Sequence, residues 1–138
     1  MKEKLNCILL IDDDEATNYI HEFIIKKANC AKKVVCKQSG QLALDYLLLK
    51  ENGKYPQPDI IFLDINMPGM NGWEFLDHYN KLEKNQQAEM ILVMLTTSID
   101  PVDKEKAKKL GIVSGFKPKP LTVEMLNNIL KEHFPNKF

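Results

Sequence analysis

Arginine is missing from this chain. All 19 basic residues are lysines, and 19 acids match them, so the formal net charge is zero. A balanced surface without guanidinium groups has no bulk attraction to a phosphate backbone and lacks the usual bidentate reader of guanine. Sequence-specific nucleic-acid binding is therefore not expected. Long hydrophobic runs are missing too. The apolar stretch Leu5–Ile11 contains Asn6 and stops at three aspartates. It is too short to span a bilayer and has no small-residue cleavage pattern. No membrane contact is expected, and the expected location is cytoplasmic. Cysteine is scarce and odd in number. Cys7, Cys30 and Cys36 show no C-x-x-C spacing and read as small buried hydrophobes. His21, His78 and His133 lack metal-ligand spacing and read as ordinary surface or boundary residues. No glycine-rich loop follows the first apolar run, which argues against a nucleotide or flavin site.

What is present fits one globular domain. The chain has 138 residues, 44% of them hydrophobic and 28% charged, enough for a single core. A strand is expected over Leu5–Ile11 and a helix over Glu15–Ala28, with Ile20, Phe23, Ile24 and Ala28 at helical spacing. A short strand over 34–36 and a helix over 41–50 follow, then a loop over 53–58. The run 60–63 is the next strand. An amphipathic helix after Gly72 carries Trp73, Phe75, Leu76, Tyr79 and Leu82. A strong strand covers 90–95. Asp100 and Pro101 read as the N-cap and first residue of a helix that Gly111 ends. A weak fifth strand spans 115–119. Leu121-Thr122 opens a last helix with Met125, Leu126, Ile129 and Leu130 on its apolar face. The strand–helix pair recurs five times, without linker or repeat. The expectation is a single domain over 1–138 with no output domain.

Alternating strands and helices imply a parallel sheet covered on both faces, with the site outside the carboxyl ends of the strands. Asp12 and Asp13 end the first strand, Asp64 follows the third, Thr96 ends the fourth, and Lys119 lies near the end of the fifth. Each has a bland reading alone: a solvated acidic turn, a turn aspartate, a capping loop, one lysine among many. One topology gathers all of them on a single edge, which the bland readings leave as coincidence. Clustered carboxylates repel unless a cation neutralises them, and a hard divalent ion on oxygen ligands suits this. A carboxylate can attack a phosphoryl group to give an aspartyl phosphate, with a metal, an ammonium and a hydroxyl stabilising the phosphoryl oxygens. Lys117 and Lys119 lie two apart, so strand periodicity cannot choose between them.

The stretches ILLIDDD, IIFLDINMPGMNG, ILVMLTTS and GFKPKPL, in this order and spacing, resemble the response-regulator receiver domain of two-component signalling. The resemblance runs over essentially the whole chain. It implies a flavodoxin-like (βα)5 α/β sandwich of three layers, a five-stranded parallel sheet in the order 2-1-3-4-5. By resemblance Asp64 is the phosphoacceptor, and Asp12, Asp13, Asp64 and the backbone carbonyl of Asn66 hold Mg²⁺ or Mn²⁺. Thr96 and Lys119 bind the phosphoryl group, Thr96 and Phe116 form the switch, and a cis bond precedes Pro120. Lys119 is preferred to Lys117 because it sets Phe116 three residues upstream, as in the family pattern. GIVSGF carries one residue more than many members between Gly111 and the aromatic. The function implied is that of a stand-alone phosphoacceptor regulator, not an enzyme. It would be served by a sensor histidine kinase or histidine phosphotransfer protein and would signal to a protein target through the 101–133 face. A phosphorelay intermediate is the alternative. An Mg²⁺-dependent phosphohydrolase is disfavoured, since no Asp-x-Asp-x-Thr motif is present.

Overall fold

The computed structural model describes residues 4–89, 91–97 and 100–138. Five strands alternate with five helices: β1 (Leu5–Ile11), α1 (Glu15–Ala28), β2 (Ala31–Lys37), α2 (Gly40–Leu48), β3 (Ile60–Asp64), α3 (Gly72–Asn80), β4 (Ile91–Thr96), α4 (Pro101–Leu110), β5 (Gly115–Pro118) and α5 (Val123–His133). All neighbours pair in parallel, in the order β2-β1-β3-β4-β5. Met90 and Ser98, placed by the sequence in the fourth strand and the loop after it, lie outside the described residues.

The uninterrupted apolar runs follow from two-sided burial. Successive side chains alternate between faces, so each run feeds two cores. Ile8, Leu10, Ile60, Phe62, Val93 and Leu95 pack with Ile25 of α1 and with Leu126, Ile129 and Leu130 of α5. Leu9, Ile11, Ile61, Leu63, Leu92 and Met94 pack with Ala43 and Leu47 of α2 and with Phe75, Leu76 and Tyr79 of α3. Ala107 is the only buried residue of α4, because that helix is otherwise mostly charged. Capping side chains start each helix: Asp14, Ser39, Asn71, Asp100 and Thr122 each accept a backbone N–H of the first turn.

Three expectations need correction besides the end of β5, which falls at Pro118 rather than at 119. β2 runs over Ala31–Lys37 rather than 34–36, because Lys32 and Lys33 sit on an edge strand, where charge keeps the open edge from pairing. α2 ends at Leu48 rather than at 50. Glu51 and Lys54 exchange two backbone hydrogen bonds around Asn52 and Gly53, both at positive φ, and this tight Asn-Gly turn draws the chain out of the helix. The third correction concerns α1. Ile20 and Phe23 are exposed, while Asn18, His21 and Ile25 face the core.

Gly72 sets α3 hard against β3. Its N–H donates to the carbonyl of Ile65 at 2.7 Å. A Cβ there would lie 2.7 Å from the Asp64 carbonyl oxygen and 2.8 Å from the Ile65 Cα. Both are backbone atoms and cannot swing away. Gly72→Ala should lower the unfolding free energy by about 1–3 kcal/mol through overpacking, read as a drop in the urea midpoint. An unchanged midpoint would contradict this close approach.

Candidate functional site

Four strand ends meet at one edge of the sheet. Asp12 follows β1 and is buried, and its N–H continues the ladder to the carbonyl of Lys37 at 3.1 Å. Its Oδ1 accepts the N–H of Asp14 at 2.9 Å, and its Oδ2 accepts Lys119 Nζ at 2.8 Å. Asp64 closes β3 with 4% of its surface exposed, and its Oδ1 lies 3.1 Å from the same ammonium. The N–H of Asn66 also donates to the Asp64 carboxylate. Asp13, beside Asp12, is exposed to solvent. Carboxylate oxygens of Asp12, Asp13 and Asp64 lie within 4.8 Å of one another. That is an all-oxygen donor set of the kind a hard divalent cation prefers.

Thr96 ends β4 and is buried, one residue beyond Leu95, the register partner of Asp64. Its carbonyl accepts the N–H of Lys119 at 2.6 Å. Lys119, not Lys117, reaches the acids. Lys117 lies within β5 opposite Leu95, while Lys119 stands beyond the strand's end, where the peptide bond to Pro120 is cis. Pro118 is tolerated because β5 is an edge. Phe116 is half-buried and pairs with Met94. With Lys104, Ala107, Lys108, Val113, Ser114 and Gly115 it lines a cavity of about 200 Å³ between α4 and β5.

The electrostatics follow from two buried acids sharing one cation. Burial pushes the Asp64 carboxyl up to about 6 from an ordinary 3.8, and the Asp12 charge adds to the rise. The Lys119 and Asn66 hydrogen bonds oppose it without cancelling it. Burial alone would lower the Lys119 pKa, but its bonds to Asp12 and Asp64 outweigh burial and raise it. The lysine therefore stays charged and serves as counter-ion to both carboxylates.

A family profile described as "Response regulator receiver domain" matches residues 8–131. This chain belongs to the response-regulator receiver-domain family. A two-component response regulator from Cytophaga hutchinsonii is 35% identical, with a TM-score of 0.82 over 94% of this chain and 97% of that one. The chemotaxis protein CheY4 of Vibrio cholerae is 25% identical, with a TM-score of 0.76 over 94% of this chain and 99% of that one. A probable cyclic di-GMP phosphodiesterase of Vibrio cholerae serotype O1 is 30% identical over 99% of this chain, which spans only 29% of that relative's length. Receiver domains are signalling switches that work with histidine kinases or phosphotransfer proteins. Among the described residues, no helix of this receiver domain is long and apolar enough to cross a membrane.

The residues that sequence reasoning missed lie on α1. His21, read as a surface or boundary residue, is 2% exposed, and its Nε2 accepts the N–H of Leu121 at 3.1 Å. Asn18, one turn earlier, donates its side-chain amide to the Asp12 carbonyl at 2.8 Å. Both face inward because each has a backbone partner there, which hydropathy periodicity does not register. Asp59 is buried at the opposite end of the sheet, where it accepts the N–H groups of Asn6 and Cys7.

The Asp64 shift has a consequence for stability. Its folded pKa lies above the unfolded value, so the native state holds the extra proton between about pH 4 and 6. Ionising Asp64 as pH rises through that window costs native stability, and the cost is gone below it. Asp64→Asn should melt higher than the parent in metal-free buffer at neutral pH, by up to about 3 kcal/mol of stability. The gap should close as the pH is taken down to about 4. Melting curves with a constant gap across that range would contradict the assignment.

Proposed function

We propose that Asp64 accepts a phosphoryl group from a histidine kinase or histidine phosphotransfer protein, and that the aspartyl phosphate signals by changing protein contacts on the 101–133 face. The observation that supports this best is one ammonium, Lys119 Nζ, lying between Asp12 Oδ2 and Asp64 Oδ1 at 2.8 and 3.1 Å. A nucleophile needs one free oxygen, a fixed orientation and nearby positive charge for the group it receives. β3 and the Asn66 N–H orient Asp64, and Lys119 supplies the charge.

An Asp64 oxygen attacks phosphorus as the P–N bond to the donor imidazole breaks. The electron pair of that bond returns to the ring nitrogen, which leaves as neutral imidazole if its other nitrogen carries a proton. Lys119 swings from the carboxylates to the incoming phosphoryl oxygens, a compact point charge suited to that role. Mg²⁺, held by Asp12, Asp13, Asp64 and the Asn66 carbonyl, would screen the repulsion between the acids and those oxygens. The Thr96 hydroxyl donates to a phosphoryl oxygen and draws its loop inward. Phe116 turns into the space this opens beside its cavity. α4, held by Ala107 as its one buried side chain, then shifts and presents a new surface to the target. The outward face of α1 suits the donor. Tyr19 is 71% and Phe23 58% exposed, with Ile20 beside them, on the helix that begins next to Asp13 and Asp14.

With Mg²⁺ and a small phosphodonor, the protein should gain the mass of one phosphoryl group, and Asp64→Asn should gain none. Equal labelling of the variant would remove Asp64 from the role proposed. NMR with beryllofluoride and Mg²⁺ should show amide changes concentrated over 96–120 and little over β2. Changes confined to the immediate ligands would favour a phosphoryl carrier over a conformational switch.

A further inference from the structure

The turn after β5 is held at its start by the bond from the Lys119 N–H to the Thr96 carbonyl. Pro120 has no N–H. Leu121 therefore supplies the first backbone donor after Lys119, and Leu121 is fully buried. A buried N–H without an acceptor costs its full desolvation. The acceptor is His21 Nε2, at 3.1 Å and a hundred residues away in sequence. Two residues before that donor, the Lys119 side chain bridges Asp12 and Asp64. One turn before His21 on the same helix, Asn18 holds the Asp12 carbonyl. The inward face of α1 thus grips both partners of the Asp12–Lys119 ion pair, each through the backbone of its own segment.

We propose that His21 is a positioning residue for Lys119. By accepting the Leu121 N–H, it fixes the turn from which the ammonium reaches the two carboxylates. Its consequence for phosphoryl transfer rests on the receiver reading above, but the placement of the ammonium does not. His21 accepts at Nε2, so its neutral form carries the proton on Nδ1. Burial lowers its pKa and favours that neutral form, with Lys119 acting in the same direction and Asp12 against. Without the acceptor, the turn must open far enough for water to reach the Leu121 N–H, and Lys119 is displaced with it.

Two variants separate placement from packing. His21→Leu keeps bulk and removes the acceptor, whereas His21→Gln keeps an acceptor oxygen. Lysine-selective ¹⁵N NMR reads the ammonium directly. The parent and His21→Gln should show a distinct, slowly exchanging Lys119 signal, and His21→Leu should lose it. His21→Ala should lose it as well, so the test does not depend on the folding of one variant. Phosphoryl uptake at saturating Mg²⁺ should fall roughly ten- to a hundredfold in His21→Leu and recover in His21→Gln. The readouts separate the two claims. Absent uptake in the parent protein defeats the receiver reading, whereas a Lys119 signal unchanged in His21→Leu and His21→Ala overturns the positioning role.

Discussion

Two carboxylates share one ammonium at the top of the sheet, and the rest of the site is arranged around that contact. Asp12 and Asp64 are both buried, and burial makes Asp64 costly to ionise. Lys119, between them, reduces that cost without removing it, since the Asp64 pKa still lies near 6. The site is therefore loaded against its own charge. A divalent cation or a phosphoryl group would relieve different parts of that load. The cation would add to the neutralisation of the acids, and the phosphoryl group would offer Lys119 new oxygens.

The scaffold serves this contact by bringing rigid strand ends together. β1 and β3, fully paired and buried on both faces, deliver Asp12 and Asp64. β4 and the edge strand β5 deliver Thr96 and Lys119, joined by the 2.6 Å bond from Lys119 N–H to the Thr96 carbonyl. α1 braces both sides with Asn18 and His21, while α4 rests on a single buried alanine. Firm support under Asp64 and loose packing on the far side suit a switch, in which one element must stay and another must move.

Much of this was legible in the residues because the strongest signals are local. Two-sided burial makes β1, β3 and β4 continuous apolar runs, and acids at their ends stand out against them. Asp100-Pro101 and Gly111 mark α4 by cap chemistry alone. What was illegible depends on long-range partners. Periodicity assumes that apolar residues of a helix turn inward, yet α1 exposes Ile20 and Phe23 and buries Asn18 and His21. Those two are stable inside only because backbone groups six and a hundred residues away meet them. Lys32 and Lys33 hide the first half of β2, because charge on an edge strand interrupts the apolar signal. The end of α2 is equally hidden, because the Asn52-Gly53 turn overrides three leucines of helical propensity. In the sequence Lys117 and Lys119 share the period of a strand, so only the family pattern separates them, and the difference lies in β5 ending at Pro118.

Lys119 is the internal counter-ion of Asp12 and Asp64. Titrating Mg²⁺ into Lys119→Met and the parent protein by calorimetry at neutral pH reads that role. Removing the internal cation leaves the acids uncompensated, so the variant should bind Mg²⁺ at least about tenfold more tightly. Equal or weaker binding by Lys119→Met would contradict the account.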